Sequence, residues 1–259
     1  IGHLINCVTI LTTDKNIEIN DDLKSDEDNV SLMTTFDSFK LKNDLLRGIY
    51  SYGWEQPSSI QKKGIPAIMT GYDVIMQAQS GMGKTGTFST GVLQRIEENK
   101  AEIQAVILLP TRELADQVYK VIQMLGQYME INFVKCVGNV RVKERLDYVN
   151  RATILIGTPG KICAVLSKKL IKSQPLKIKM LVIDEFDKML EENFLPSIKE
   201  IYACIDDNSQ IVLSSATMNN DVITITNDFM KNPIEITIKN EELSLEGIRQ
   251  FYVDCNKEE

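Results

Sequence analysis

Eight consecutive residues, Ala78-Gln79-Ser80-Gly81-Met82-Gly83-Lys84-Thr85, have the composition of a loop that wraps around phosphate. Small residues let the backbone curl until its N–H groups converge on the oxygens, and a helix that follows would aim its positive N-terminus at the same anion. In this P-loop pattern Gln79, Ser80, Gly81, Met82 and Gly83 form the cradle. Lys84 reaches the outer phosphates, and the Thr85 hydroxyl is placed to hold magnesium. A second group, Asp184-Glu185-Phe186-Asp187, sets acids at the end of an apolar run. Beside a phosphate loop, Asp184 would position the metal, mostly through water, and Glu185 would take a proton from the attacking water. Acids at the start of a helix are also favoured by the helix dipole alone, so this reading leans on the loop upstream.

Three further groups follow apolar runs. Ser214-Ser215-Ala216-Thr217 supplies hydroxyls that could cap a helix, or could bond Asp187 and so tie one site to another. Pro110-Thr111-Arg112 and Thr158-Pro159-Gly160-Lys161 each place a hydroxyl, a turn and a cation at a helix start. Such helix starts can hold a phosphate backbone, and they can equally be ordinary capped loops.

Strands must carry these groups. Short apolar runs at Asp73–Ala78, Ala105–Leu109, Asn132–Val137, Ala152–Ile156, Lys179–Ile183 and Gln210–Leu213 suit strands covered on both faces. Between them, Leu114, Val118, Val121, Ile122 and Leu125 line one face of a helix over Arg112–Leu125. Alternating strands and helices predict an α/β domain with an open, mostly parallel sheet flanked by helices on both faces, and ligands beyond the carboxyl ends of its strands.

The 259 residues hold 43% hydrophobic and 25% charged side chains, enough for a large core without metals or disulfides. A net charge of −7 repels phosphate overall, so any nucleic-acid site must be a local patch. Five scattered cysteines without a CxxC pair, and a lone His3, argue against zinc and read as reduced thiols of the cytosol or nucleus. No run is long enough to span a membrane, and Ile1–Leu11 lacks the basic start of a signal peptide. Residues 1–34, with an acidic run from Asp21 to Asp28, read as a disordered extension. The chain opens on Ile1 rather than Met, which suggests a fragment.

Together and in this order the motifs resemble the DEAD-box RNA helicases, and within them the translation initiation factor 4A group, from about Thr35 to the C-terminus. Gly53-Trp54-Glu55-Gln56-Pro57-Ser58-Ser59-Ile60-Gln61 looks like the family's Q motif. The resemblance implies that Gln61 reads the adenine edge, that Trp54 packs on the base and that Phe36 supports the pocket. Gln56 stands near the nucleotide where factor 4A has Lys. It further implies a RecA-like P-loop fold over residues 35–240, ATP and Mg2+ as ligands, and RNA backbone contacts by Pro110, Thr111, Arg112, Gly138, Thr158, Gly160 and Lys161. Asp187, Ser215 and Thr217 are implied to couple the two sites. Residues 241–259 look like the linker to a second helicase domain, which would complete the cleft; a relative active in messenger RNA surveillance is similar there. The expectation is a cytoplasmic monomer, able to meet an initiation-factor scaffold protein. This half alone is expected to bind ATP weakly and hydrolyse it very slowly.

The chain departs from the pattern at Phe186, which replaces Ala beside Asp187, at Lys161, which replaces Arg, and at Asn139, which replaces Gly. Two other readings remain open at this point. A P-loop kinase of small molecules would leave Gln61 and the Thr-Pro-Gly turn unexplained. A catalytically idle module that binds RNA or protein would draw on the three departures.

Overall fold

A computed structural model of the chain describes residues 34–100, 102–138, 149–166 and 178–238; the expected extension before Thr34, the linker and Asn139 fall outside them. Seven strands form one sheet: β1 (Val74–Gln77), β2 (Ala105–Leu108), β3 (Phe133–Cys136), β4 (Ile154–Gly157), β5 (Met180–Ile183), β6 (Gln210–Ser215) and β7 (Ile234–Thr237). The order across the sheet is β3-β4-β2-β5-β6-β1-β7, and every pairing is parallel. Six of the seven strands lie on the predicted runs. The seventh, β7, was not anticipated. It sits at the sheet edge, so only Ile234 and Ile236 are buried while Glu235 and Thr237 are exposed. An edge strand covered on one face shows no continuous apolar run.

Helices pack on both faces. Among the described elements, α1 (Asn43–Ser51), α2 (Ser59–Thr70), α3 (Lys84–Arg95) and α4 (Arg112–Leu125) contribute to one core. Helices α5 (Pro159–Leu166), α6 (Phe186–Glu191), α7 (Leu195–Tyr202) and α8 (Asn220–Phe229) contribute to the other. Alternate residues of one strand divide between the two cores: Val74 and Met76 go to the first and Ile75 to the second. That is the two-per-repeat geometry of a strand, and it explains why the buried runs are apolar throughout. Each fully buried aliphatic side chain contributes about 1.5–3 kcal/mol relative to exposure.

The boundaries of α4 match the expected helix. Thr111 caps it by accepting the Leu114 N–H at 3.2 Å. Its buried face is Ala115, Val118, Ile122 and Leu125, so the face is turned slightly from the one the larger side chains suggest, with Leu114 and Val121 at its margin. At the amino edge of the sheet, Asp73 accepts the N–H groups of Ile211 at 2.7 Å and Lys231 at 2.8 Å, fastening β1 to its neighbours. Burial raises the Asp73 carboxyl above its ordinary pKa, and these two hydrogen bonds oppose the rise.

Candidate functional site

The phosphate loop lies where β1 ends and α3 begins. Gly81 and Gly83 take φ of 85° and 100°, which side-chain-bearing residues rarely adopt. The loop can therefore turn tightly enough to leave its N–H groups pointing inward. Lys84 starts α3 and is buried, at 8% exposure. Its ammonium donates to the carbonyl of Ala78 and, at 3.1 Å, to that of Gln79. Burial lowers its pKa, while the nearby Asp184, Glu185 and Asp187 carboxylates act in the opposite direction. The Thr85 hydroxyl has no hydrogen-bond partner among the described residues, so it is available.

A pocket wall stands beside the loop. Ser58 precedes α2, and Gln61 reaches back so that its Oε1 accepts the Ser58 N–H at 2.8 Å. The Ser58 hydroxyl donates to the Met82 carbonyl at 3.1 Å, joining this turn to the phosphate loop. Gln61 is 5% exposed, and its remaining polar atom, Nε2, is a donor. A Cβ placed on Gly86 would lie within contact distance of that nitrogen and 2.6 Å from the Trp54 ring, so Gly86 is what lets both approach α3. Trp54 stacks on Phe36 at 6.3 Å with 17° between the rings, and Tyr52 meets it edge-on at 5.0 Å. Phe36 is fully buried, so it can act on a ligand only by holding Trp54. Gln56 is exposed nearby in sequence with no hydrogen bond among the described residues.

The acids follow β5. Asp184 is 5% exposed, and its Oδ1 accepts from the Ser214 hydroxyl and, at 3.0 Å, from the Glu185 N–H. Burial raises its pKa, with the Ser214 hydrogen bond and Lys84 opposing. Glu185 holds φ 51° and ψ 52°, a left-handed conformation that is costly outside glycine, and its side chain caps nothing. Its Oε2 instead accepts the Lys188 ammonium at 2.7 Å. Simple helix-end decoration therefore does not describe this residue.

Asp187 does meet the turn after β6. Its Oδ2 accepts the N–H of Ala216 at 3.2 Å and both the N–H and hydroxyl of Thr217 at 3.0 Å. Ser215 joins by another route than expected: its hydroxyl donates to the Thr217 carbonyl at 2.7 Å rather than to Asp187. Successive strand residues point to opposite faces, and it is Ser214 that faces the acids. Phe186 is fully buried in the second core, so its ring leaves the Asp187–Thr217 contact intact.

The other candidates lie across the same sheet edge. Pro110, Thr111 and Arg112 follow β2; Gly138 follows β3; Thr158, Gly160 and Lys161 follow β4. Pro110 is buried, Thr111 and Arg112 are exposed, and the Thr158 carbonyl accepts the N–H groups of Lys161 and Ile162, both at 3.0 Å. A side chain on Gly160 would meet nothing within 4 Å, and Gly138 holds φ 73° with equally open surroundings. Strand order thus sorts the motifs. The phosphate loop and acids occupy the neighbours β5, β6 and β1, and the turns with Arg112 and Lys161 occupy β3, β4 and β2.

Sequence reasoning passed over three contributors. Ser214 stands out in the sequence only as part of a turn. Lys188 was detectable as an i,i+3 partner of Glu185. Gly86 carried no signal, because its role is the space it leaves.

Comparison with known proteins agrees with this arrangement. Residues 58–225 match the DEAD/DEAH box helicase family. The chain is 42% identical over 256 residues to eukaryotic initiation factor 4A of Caenorhabditis elegans, covering 98% of this chain and 61% of that protein. It is 44% identical over 230 residues to the ATP-dependent RNA helicase eIF4A of Mycosarcoma maydis, covering 88% and 56%. Among solved structures, a DEAD box protein from the hyperthermophile Methanococcus jannaschii superimposes with a TM-score of 0.76 at 30% identity, covering 81% of this chain and 57% of that one. Saccharomyces cerevisiae Dbp5 bound to RNA and ADP BeF3 gives 0.75 at 32%, covering 86% and 56%. The chain spans roughly three-fifths of the length of the curated relatives it matches.

Proposed function

The chain belongs to the DEAD/DEAH box helicase family, and from that premise we propose that it forms the ATP-binding half of an ATP-dependent RNA helicase acting on messenger RNA in translation initiation. The observation that carries the reading is the gathering of Lys84, Asp184, Glu185 and the Asp187–Thr217 contact at the carboxyl ends of three adjacent strands. Two likenesses support the choice of substrate: the printed names of the factor 4A relatives, and the solved Dbp5 complex with RNA.

In this reading the phosphates of ATP take the place that the Lys84 ammonium now fills with the Ala78 and Gln79 carbonyls, and Lys84 turns to them. Gln61 donates through Nε2 to adenine N7 and accepts the adenine amino group at the second lone pair of Oε1, and Trp54, braced by Phe36, packs on the ring. Gln56 borders the same pocket. Magnesium suits the residues present. Such an ion keeps most of its waters and needs only one or two carboxylates besides phosphate. Asp184 Oδ2 and the Thr85 hydroxyl both lack partners among the described residues. When bound, the ion would neutralise charge on the phosphates.

Glu185 accepts the proton of the attacking water once it leaves Lys188. Asp187 and Thr217 carry the state of that site toward β2 and β4, whose Thr111, Arg112, Thr158, Gly160 and Lys161 hold the RNA backbone together with Gly138. A second helicase domain closes over both ligands and supplies the remaining cationic charge, worth ~10³–10⁵ in rate in related phosphoryl transfer. A cytoplasmic location and contact with an initiation-factor scaffold protein belong to the same reading.

Displacement of a fluorescent ADP analogue from the chain tests the nucleotide half. ATP and ADP should compete, and GTP should compete about tenfold or more less well, since guanine turns its O6 acceptor toward Gln61 Oε1 where adenine offers an amino donor. Gln61→Ala should erase that difference. Equal competition by GTP in the unaltered chain would remove the adenine-reading role.

A further inference from the structure

Ser214 is the penultimate residue of β6, in a strand whose other inner positions, Ile211, Val212 and Leu213, are apolar. It is fully buried. A hydroxyl in such a place costs free energy unless it finds a partner, and an alanine would fit the strand without that cost. Among the described residues the hydroxyl has one hydrogen-bond partner, Asp184 Oδ1. The strand register produces the meeting: Ile183 pairs with Leu213, so Asp184 and Ser214 are the next rung. On its other side Ser214 pairs with Met76 of β1, two residues before the phosphate loop. Ser214 therefore lies between the strand that ends in the acids and the strand that ends in the loop.

The direction of this hydrogen bond is fixed by chemistry. An ionised carboxylate can only accept, so the Ser214 O–H donates. Oδ1 then receives two donors, the Ser214 hydroxyl and the Glu185 N–H at 3.0 Å. Oδ2 receives none among the described residues. Two donors on one oxygen fix the plane of the carboxylate and leave the other oxygen free.

We propose that Ser214 is a positioning residue for Asp184: it holds Oδ1 so that Oδ2 is presented to the water shell of a nucleotide-bound magnesium ion. The proposal rests on the metal-positioning role given to Asp184 above. It predicts that removing the hydroxyl weakens the contribution of magnesium to nucleotide binding and leaves the nucleotide contacts themselves alone. Partners that orient a metal-site side chain typically contribute 10–100-fold to metal affinity, and contact through water places this one near about tenfold.

The test is the affinity of the whole chain for ADP and for a non-hydrolysable ATP analogue, measured in magnesium and again in EDTA. In the unaltered chain, magnesium should tighten binding. In Ser214→Ala the tightening should shrink about tenfold, with the EDTA affinity and the melting temperature unchanged; in Ser214→Thr, which keeps the hydroxyl, it should persist. A full magnesium effect in Ser214→Ala, or an equal loss with and without magnesium, would overturn the role of Ser214. Should Ser214→Ala fail to fold, loss of the magnesium effect in a folded Ser214→Thr would overturn it as well. Absence of any magnesium effect in the unaltered chain would instead remove the premise about Asp184, and the proposal with it.

Discussion

In the two-domain protein that the functional reading calls for, Glu185→Gln should reduce RNA-stimulated ATP turnover by about 10²–10⁴-fold, the usual contribution of a positioned general base. Nucleotide affinity should stay within about twofold, because Glu185 has no hydrogen bond to the phosphate loop among the described residues and the neutral amide keeps the shape of the side chain. The geometry favours a chemical role over a structural one. The residue sits in a left-handed conformation at φ 51°, its side chain caps no helix, and its one ion-pair partner, Lys188, is more than half exposed. A surface pair of this kind contributes little to stability, so thermal melting should not move. Steady-state turnover, nucleotide titration and a melting curve on the same variant separate the possibilities. A variant that keeps its turnover would remove Glu185 from the chemistry. One that loses turnover and melts several degrees lower would mark it as a structural residue.

The second large effect concerns the fold that holds the site. Gly48 on α1 lies against the backbone at the end of α4. A Cβ there would fall deep inside contact distance of the Leu125 carbonyl oxygen, 2.8 Å from its carbon and 3.3 Å from its Cα. Backbone cannot swing aside as a side chain can. Overpacking by Gly48→Ala should therefore cost about 3 kcal/mol, at the upper end of such costs. This outweighs the roughly 1 kcal/mol that Ala gains over Gly inside a helix and leaves a net loss of about 2 kcal/mol. At 2–4 °C per kcal/mol for a domain of this size, the melting temperature should fall by roughly 4–8 °C. Gly160→Ala is the matched control: it lies in α5 with open surroundings, and the melt should not fall. Denaturant and thermal melts of the two variants decide the matter. A stable Gly48→Ala would mean that α1 and α4 separate freely, and the wall that carries Trp54 would then be less firmly anchored than the packing suggests.

What the sequence discloses depends on how far a feature reaches. The five inner strands were legible because a strand covered on both faces is apolar along its middle, as in Val106, Ile107 and Leu108; β3, at the far edge, was legible from Phe133 and Val134 despite Lys135. β7 was not, because Glu235 and Thr237 interrupt Ile234 and Ile236 at the edge. The limits of α4 were legible from Thr111 at its start, but its buried face was not fully so: Ala115 is small enough to be overlooked and is fully buried. In the site, residue types announced the phosphate loop and the acids. Partners were harder to read. Which of Ser214, Ser215 and Thr217 bonds which acid depends on the register of β5 against β6, a tertiary property that local spacing does not encode. Phe186 was suspect in sequence because it adjoins Asp187, yet it is fully buried in the second core and leaves the Asp187–Thr217 contact in place.

In the proposed function the acids and phosphate loop on β5, β6 and β1 respond to RNA held on β2, β3 and β4. The most direct measurement is steady-state ATP hydrolysis with and without single-stranded RNA, by this chain and by the two-domain protein side by side. Clear stimulation by RNA is expected in the two-domain protein, and turnover near background in this chain alone. Binding of ATP by both, with no response to RNA in either, would contradict that function and leave a nucleotide-binding module without helicase coupling.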